Sequence, residues 1–237
     1  MHRHKKVAIV RRNNKSILSL KKEIESAGFC YDAKHPDLVI SAGGDGTFFH
    51  AERKYPGIPK LLIRESGICE KCSEGNLAEI LDQYRKGYLR VKQYFQLEGT
   101  IVKKNGKRIK VFACNDIIFR NKLLTRAIRF SVIINKKMID GEIIGDGIVV
   151  ATPFGAAAYF RSISHRNFSK GIGIAFNNPT QPLQSIVVKE NAIIIVKLHR
   201  EQAILGVDND PRMHALSPGD HIEIKKSKKI ARLIQRR

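Results

Sequence analysis

The stretch Asp37-Leu38-Val39-Ile40-Ser41-Ala42 runs straight into Gly43-Gly44-Asp45-Gly46-Thr47, and this junction restricts the fold more than any other part of the chain. Five apolar or small residues between Asp37 and a glycine cluster predict a short buried strand. The chain then resumes as a helix through Phe48-Phe49-His50-Ala51-Glu52-Arg53. Glycines around one carboxylate admit positive φ angles and put no Cβ in the way, so a polyanion reaches the backbone amides while Asp45 faces it. Strand, glycine loop and helix N-terminus together make an arrangement that binds phosphate. The plain alternative is a tight strand-to-helix connection with no ligand, and the charged Asp among the glycines favours the phosphate reading.

The surrounding sequence predicts the layer in which this loop sits. Lys6 to Arg11 reads as an opening buried strand, and Asn13 to Ala27 as a helix with Ile17, Leu18, Leu20 and Ile24 on one side and Gly28 as its stop. A strand, a helix and a second strand followed by the loop imply an open parallel sheet covered by helices. Ligands in such sheets lie at the carboxyl ends of the strands, where Asp45 falls. Pro59 to Ile63 predicts the next strand, and Gly75 to Lys86 a helix with Leu77, Ile80 and Leu81 apolar. From Tyr94 onward the pattern changes to short alternating segments: Phe95 to Val102, Arg108 to Ala113, Ile128 to Ile134, Ile143 to Ala151, Ile186 to Val188, Ala192 to Leu198, Ala203 to Val207 and Ile222 to Ile224. Mostly antiparallel sheet is expected there. The fold class is therefore α/β: a Rossmann-like parallel-sheet domain over residues 1–93, a β-rich domain over 94–224, and a basic C-terminal segment over 225–237.

Composition narrows the partners. The chain has 237 residues, 43% of them hydrophobic, which is enough for a globular core. Forty-three Lys and Arg stand against 22 Asp and Glu, a formal +21 that calls for polyanionic company such as nucleotides, polyphosphate or nucleic acid. The excess is spread along the chain, there is no Trp, and the aromatics lack the spacing of a base-stacking motif, so no specific nucleic acid is expected. No apolar run approaches the roughly 20 residues that span a bilayer, and Met1 to Lys6 lacks a signal-peptide core, so the expected compartment is the cytoplasm. Cys69 and Cys72 have CxxC spacing, but Cys30 and Cys114 stand alone in apolar-looking settings; reduced thiols are favoured over a four-ligand zinc site, and no metal-ligating residue is assigned.

The GGDGT motif resembles that of the NAD kinase family and of its relatives, the diacylglycerol, sphingosine and phosphofructo-kinases. Three further segments favour the first. Cys114-Asn115-Asp116-Ile117-Ile118 is similar to the family's Asn-Glu motif, with Asp for Glu. The run from Gly145-Asp146-Gly147 through Thr152-Pro153-Phe154-Gly155-Ala156-Ala157-Ala158-Tyr159 resembles its DGxxxxTPTGSTAY segment. Val207-Asp208-Asn209 and Ser217-Pro218-Gly219-Asp220 stand where the family has a strand ending in Asp-Gly and a Gly-Asp turn.

The resemblance implies a kinase that phosphorylates the adenosine 2′-hydroxyl of NAD, with ATP or polyphosphate as donor and a divalent metal, magnesium, as helper. It implies a homo-oligomer, dimer or tetramer. By the same resemblance Asp45 is the catalytic base, and the dinucleotide is bound by Gly43, Gly44, Gly46, Thr47, Asn115, Asp116, Asp146, Ala157, Ala158, Tyr159 and Ser162. Asp146 would meet the nicotinamide end. Arg120, Lys122 and Arg126, just beyond Asn115-Asp116, are a candidate cluster for donor phosphates. Taken singly, Asn115-Asp116 also reads as a turn between strands, and Asp146-Gly147 as a hairpin corner.

The departures are specific. Phe154, Ala156 and Ala157 replace three hydroxyl residues, and Ile63-Arg64-Glu65-Ser66-Gly67 replaces a GVN-like loop. Phe154 either stacks on a base or fills the loop's interior. The competing readings are a kinase of the same fold acting on a lipid or sugar hydroxyl, and a catalytically weak dinucleotide-binding regulatory protein.

Overall fold

Short aliphatic runs buried on both faces build the first part of the chain as a parallel sheet. The computed structural model describes residues 5–11, 16–65, 72 and 75–236 and divides into two units, Met1–Tyr94 with Ile230–Arg237 and Phe95–Lys229. The first unit holds β1 (Lys6–Arg11), α1 (Leu18–Ser26), β2 (Cys30–Tyr31), β3 (Leu38–Gly43), α2 (Asp45–Lys54), β4 (Lys60–Arg64), α3 (Leu77–Arg85) and the start of β5 (Leu89–Val102). β1 pairs in parallel with β2 and β3, and β3 pairs in parallel with β4. One face of this sheet packs Val7, Ile9, Leu38, Ile40, Leu61 and Ile63 against Leu20 and Ile24 of α1 and Leu77, Ile80 and Leu81 of α3. The other face meets Ala51 and Tyr55 at the end of α2.

Helix ends follow local chemistry. Asn76 caps α3 in a reciprocal capping box with Glu79, accepting its N–H at 2.9 Å. α2 carries Asp45 in its first turn and Arg53 and Lys54 in its last, the charge order that suits the helix dipole. Lys60 is wholly buried on β4, where its ammonium meets the Glu52 carboxylate and the Tyr55 carbonyl. Glu52 also accepts the Gly57 N–H at 2.9 Å, so this pair ties the C-terminal end of α2 to β4.

The second unit contains β6 (Arg108–Ala113), β7 (Asp116–Asn121), β8 (Ile128–Ile134), β9 (Lys137–Gly145), β10 (Gly147–Ala151), a π-type turn Ala156–Phe160, α4 (Arg161–Ser164), β11 (Ile172–Asn177), β12 (Ile186–Val188), β13 (Ile194–Arg200), β14 (Ala203–Val207), β15 (His214–Leu216) and most of β16 (His221–Arg236). One antiparallel sheet runs β12-β11-β10-β7-β14-β15. In the other, β16 pairs with β13, β13 with β8 and β8 with β9, while β6 pairs with β5. Their inner faces share one apolar core, in which the Phe119 and Phe130 rings meet edge to face at 5.8 Å. Asp220 accepts the Ser217 and Lys104 N–H groups, each at 2.9 Å, and holds the turn before β16.

The α/β class with parallel and antiparallel parts is as expected; several details differ. α2 starts at Asp45, so Gly46 and Thr47 belong to its first turn rather than to a loop. The predicted Asn13–Ala27 helix is observed as Leu18–Ser26, and Asn13 lies outside the described residues. The expected strand from Ile143 to Ala151 is broken at Asp146: β9 pairs with β8 in one sheet and β10 with β7 and β11 in the other. Asp146-Gly147 is thus a crossing between sheets and not a hairpin corner. β7 and β11 are central strands that the pattern alone did not mark. Residues 225–236 continue β16, and their last part pairs in parallel with β4. Cys30 is exposed and not in an apolar setting, whereas Cys114 is buried; Cys72 is disulfide-bonded rather than a reduced thiol, and Cys69 lies outside the described residues.

Candidate functional site

In the first unit the site begins at the carboxyl end of β3. Gly43 has φ +155°, and a Cβ there would stand 2.2 Å from Thr47 Oγ1, so glycine lets the strand pass directly over that side chain. Thr47 is 1% exposed, and its hydroxyl, like that of Ser41, has no hydrogen-bond partner among the described residues. A buried hydroxyl without a partner costs on the order of 1–3 kcal/mol, so this strand-to-helix junction is not shaped by local stability alone. No side chain caps α2, whose first amides and dipole favour an anion. Asp45 is half-buried in the same turn. Its carboxylate repels an anion held there unless a proton or a cation comes between them, which is the requirement of phosphoryl transfer to a hydroxyl. Near this strand end Glu65 donates its N–H to the Gly43 carbonyl at 3.3 Å and pairs with Arg11 at 2.7 Å. Ser66 and Gly67 of the predicted wall lie outside the described residues.

In the second unit, Asn115 and Asp116 form the turn that enters β7. Three backbone N–H groups of this turn, from Cys114, Asn115 and Asp116, point at the Asp208 carboxylate at 3.0, 2.7 and 3.2 Å. Asp208 returns its own N–H to the Asp116 carbonyl at 3.0 Å. The Thr152-Pro153-Phe154-Gly155 loop is bound to the same turn: Thr152 N–H donates to the Asn115 carbonyl at 2.8 Å, and Thr152 Oγ1 donates to the Cys114 carbonyl. Gly155 fits because a Cβ would meet Asn115 O at 2.5 Å and Asn115 Cα at 2.7 Å. Asp116 is only 4% exposed, and burial, with the nearby charge of Asp208, pushes its pKa up to about 7. Thr152 and Asp208 are the residues that motif reading did not assign to the site. Their signal was present: a hydroxyl in the loop, and a lone Asp ending a strand.

At the other end of β10, Asp146 accepts from Asn121 Nδ2 and Asn178 Nδ2, each at 3.3 Å. Its N–H donates to the Asn177 carbonyl at 2.9 Å, and Asn177 Nδ2 donates to Tyr159 Oη at 3.4 Å, so Asp146 and Tyr159 share one network. Ser162 is exposed and donates to the Tyr159 carbonyl at 2.8 Å. Asp116 pairs with Ala151 and Arg120 with Gly147 along the same two strands, so the two polar ends lie roughly 14 Å apart at the usual strand rise. Ala157 is half-buried and Ala158 exposed, with Ala158 breaking the turn at φ −92° and ψ −127°. Phe154 is 6% exposed: it fills the loop's interior rather than offering a face to a base.

Each basic residue beyond the turn has a local side-chain partner. Arg120 leans on Asn121 Oδ1 at 3.4 Å, Lys122 donates to Gln202 Oε1 at 2.9 Å, and Arg126 lies 3.6 Å from Glu201. Arg126 also lines a groove of about 510 Å³ with Arg129, Arg200 and Glu201. Among the described residues there is no group of three or more His, Cys, Asp or Glu side chains that would hold a metal ion. No helix among them is long and apolar enough to cross a membrane.

A parallel sheet with an anion-receptive glycine turn, joined in one chain to an antiparallel unit that carries a clamped Asn-Asp turn, defines a nucleotide-binding α/β protein. The chain is 30% identical over 207 residues to the NAD kinase of Sulfurisphaera tokodaii, a match spanning 81% of this chain and 78% of that one. It is 27% identical over 208 residues to the NAD kinase of Thermoanaerobacter sp. strain X514, covering 84% and 73% of the two chains. No family model matches it. In fold it is similar to yeast NADH kinase, crystallised with NADH, at TM-score 0.83 and 16% identity over 100% of this chain and 84% of that one. It is similar also to the Archaeoglobus fulgidus NAD kinase, crystallised with ATP, at TM-score 0.81 and 17% identity over 98% and 94%. The chain belongs to the NAD kinase family.

Proposed function

We infer that this protein is a kinase that phosphorylates NAD to give NADP, with ATP as phosphoryl donor. The observation that carries the reading is the match to the Sulfurisphaera tokodaii NAD kinase, which at 30% identity spans 81% of the chain, enough to draw on both units. Nothing in the fold or the relatives favours a lipid or sugar acceptor.

In this reading the acceptor is the adenosine 2′-hydroxyl. Asp45 takes its proton as the oxygen attacks the terminal phosphorus of the donor; the bond from that phosphorus to the bridging oxygen breaks and ADP leaves. The amides at the start of α2 meet phosphate oxygens of the substrate, with Gly43, Gly44 and Gly46 keeping side chains out of the way and Thr47 packed beneath the turn. Asn115 offers both a donor and an acceptor to the adenosine. Asp116 adds an acceptor, and Ala157 and Ala158 border the base. Asp146, Tyr159 and Ser162 serve the nicotinamide end, and the roughly 14 Å between the two ends of β10 supports one molecule with two polar termini. Magnesium fits a site of few carboxylates, because it keeps several waters and is commonly held by one or two carboxylates and the substrate's phosphates. When bound it would offset phosphate charge, and Asp45 is the residue that would help hold it. Polyphosphate is an alternative donor, the compartment is the cytoplasm, and the working form is a homo-oligomer.

The deciding experiment is NADP formation from NAD with ATP, and separately with polyphosphate, in the presence of magnesium. Turnover with either donor supports the reading. Calorimetric NAD binding without NADP formation would favour a regulatory dinucleotide-binding protein instead.

A further inference from the structure

We propose that Asp208 is a positioning residue for dinucleotide binding, holding the Cys114–Asp116 turn in shape and setting its own negative charge against the Asp116 carboxyl. The proposal rests on the NAD kinase reading, under which that turn meets the adenosine. Its ground is geometric. Three consecutive N–H groups converge on one carboxylate at 2.7 to 3.2 Å, and the Asp208 N–H closes the ring onto the Asp116 carbonyl at 3.0 Å. Asp208 itself stands at φ +49°, a left-handed conformation that Asp tolerates better than most side chains, as the chain leaves β14. Accepting three N–H bonds with two oxygens suits an ionised Asp; an Asn there would offer one oxygen and no charge.

The Asp208 charge bears on Asp116. Asp116 enters β7 between β10 (Gly-Ile-Val-Val-Ala) and β14 (Ala-Ile-Leu-Gly-Val), neither of which carries a titratable side chain. Cys114 and Thr152 add a thiol and a hydroxyl from the turn and the loop, and Asp208 supplies the charge that faces Asp116. Burial and this charge leave Asp116 half-ionised near pH 7, within the range where a small change in surroundings decides its state. Ionised Asp116 is the stronger acceptor for a ribose hydroxyl or adenine amine. NAD affinity should therefore rise with pH through about 7.

The test is Asp208→Asn, with Asp208→Ala as a second variant and thermal unfolding to confirm that each is folded. NAD affinity is measured by calorimetry across pH 5.5 to 8.5, kcat and KM are measured at each pH, and the Asp116 carboxyl is titrated by carbon NMR. The expected result for Asp208→Asn is NAD affinity weaker by about tenfold, the scale of one lost charge-assisted hydrogen bond, with kcat within about twofold. The pH at which affinity rises, and the Asp116 titration with it, should move down. Unchanged affinity and an unmoved titration overturn the proposal. So does a parallel loss of kcat, affinity and melting temperature with the titration unmoved, which is what a merely structural residue would show. If the wild type binds no NAD, the kinase reading fails on its own. The NMR titration then still decides whether Asp208 governs Asp116, and an unmoved titration overturns that as well.

Discussion

In the proposed reading Asp45 carries the chemistry at the scale of single residues, because it lies in the first turn of α2, a helix start that favours an anion. Asp45→Asn keeps size and polarity but cannot take a proton, so we expect kcat to fall by roughly a hundredfold or more while the melting temperature stays near wild type. Turnover within a few-fold of wild type would remove Asp45 from the role of base. Ala157 is a test of the ligand. It is half-buried where the motif it resembles has a hydroxyl residue, so Ala157→Thr should tighten NAD binding by about fivefold, the worth of one hydrogen bond. Calorimetry showing equal or weaker binding would mean that the adenine is held elsewhere. Asp116 makes a prediction about pH. Its folded pKa is raised to about 7 from 3.8, so the native state holds a proton that the unfolded state has released. The stability it contributes is therefore fully present below about pH 4 and is lost as pH rises through about 7. Urea midpoints of wild type should carry this downward component between those values, and Asp116→Asn should lack it. Parallel pH dependences in the two proteins would refute the assignment.

Among the elements, the loop after β10 and the turn before β7 behave as one piece, since Thr152 bonds the carbonyls on either side of Asn115 N–H and Gly155 lies flat on the Asn115 backbone. Adding a single methyl separates them. Gly155→Ala must push Asn115 away from a contact of 2.5 Å, at the ~1–3 kcal/mol of an overpacked site, and should raise KM for NAD by about tenfold or more while kcat at saturation changes less. A KM equal to wild type would show that Asn115 has no part in binding. Phe154 differs: the sequence left it free to stack on a base, and the fold buries its ring in the loop's interior.

For the whole molecule, the formal +21 invites a nucleic-acid reading that the folded chain does not favour. Arg108, Arg126, Arg129, Arg212 and Lys226 each stand in an ion pair, and the excess positive charge is spread along the chain rather than gathered in one motif. We expect duplex DNA or RNA to bind at roughly micromolar affinity or weaker at physiological salt, without sequence preference and with a steep loss as salt rises. Tight, sequence-selective binding in a titration at 150 mM salt, with no affinity for NAD, would overturn the kinase reading. The parallel-sheet half was legible from the start, because buried aliphatic runs, a glycine cluster and helical periodicity are local signals. The antiparallel half was legible only in part. β7 is a central strand whose first residue is a polar site residue, and β11 is interrupted by Gly173, whose absent side chain makes room for Phe168 and Phe160, so neither showed clean alternation. By itself the sequence determined the chemistry available: a carboxylate among glycines, an Asn-Asp turn, and an Asp-Gly pair ahead of a small-residue loop. What only the tertiary structure decided is how that chemistry is held. The meeting of residues 114–116 with Asp208, some ninety positions away, depends on β7 and β14 lying side by side. So does the ionisation of Asp116, since burial and a neighbouring charge are properties of the packed state that no local pattern encodes.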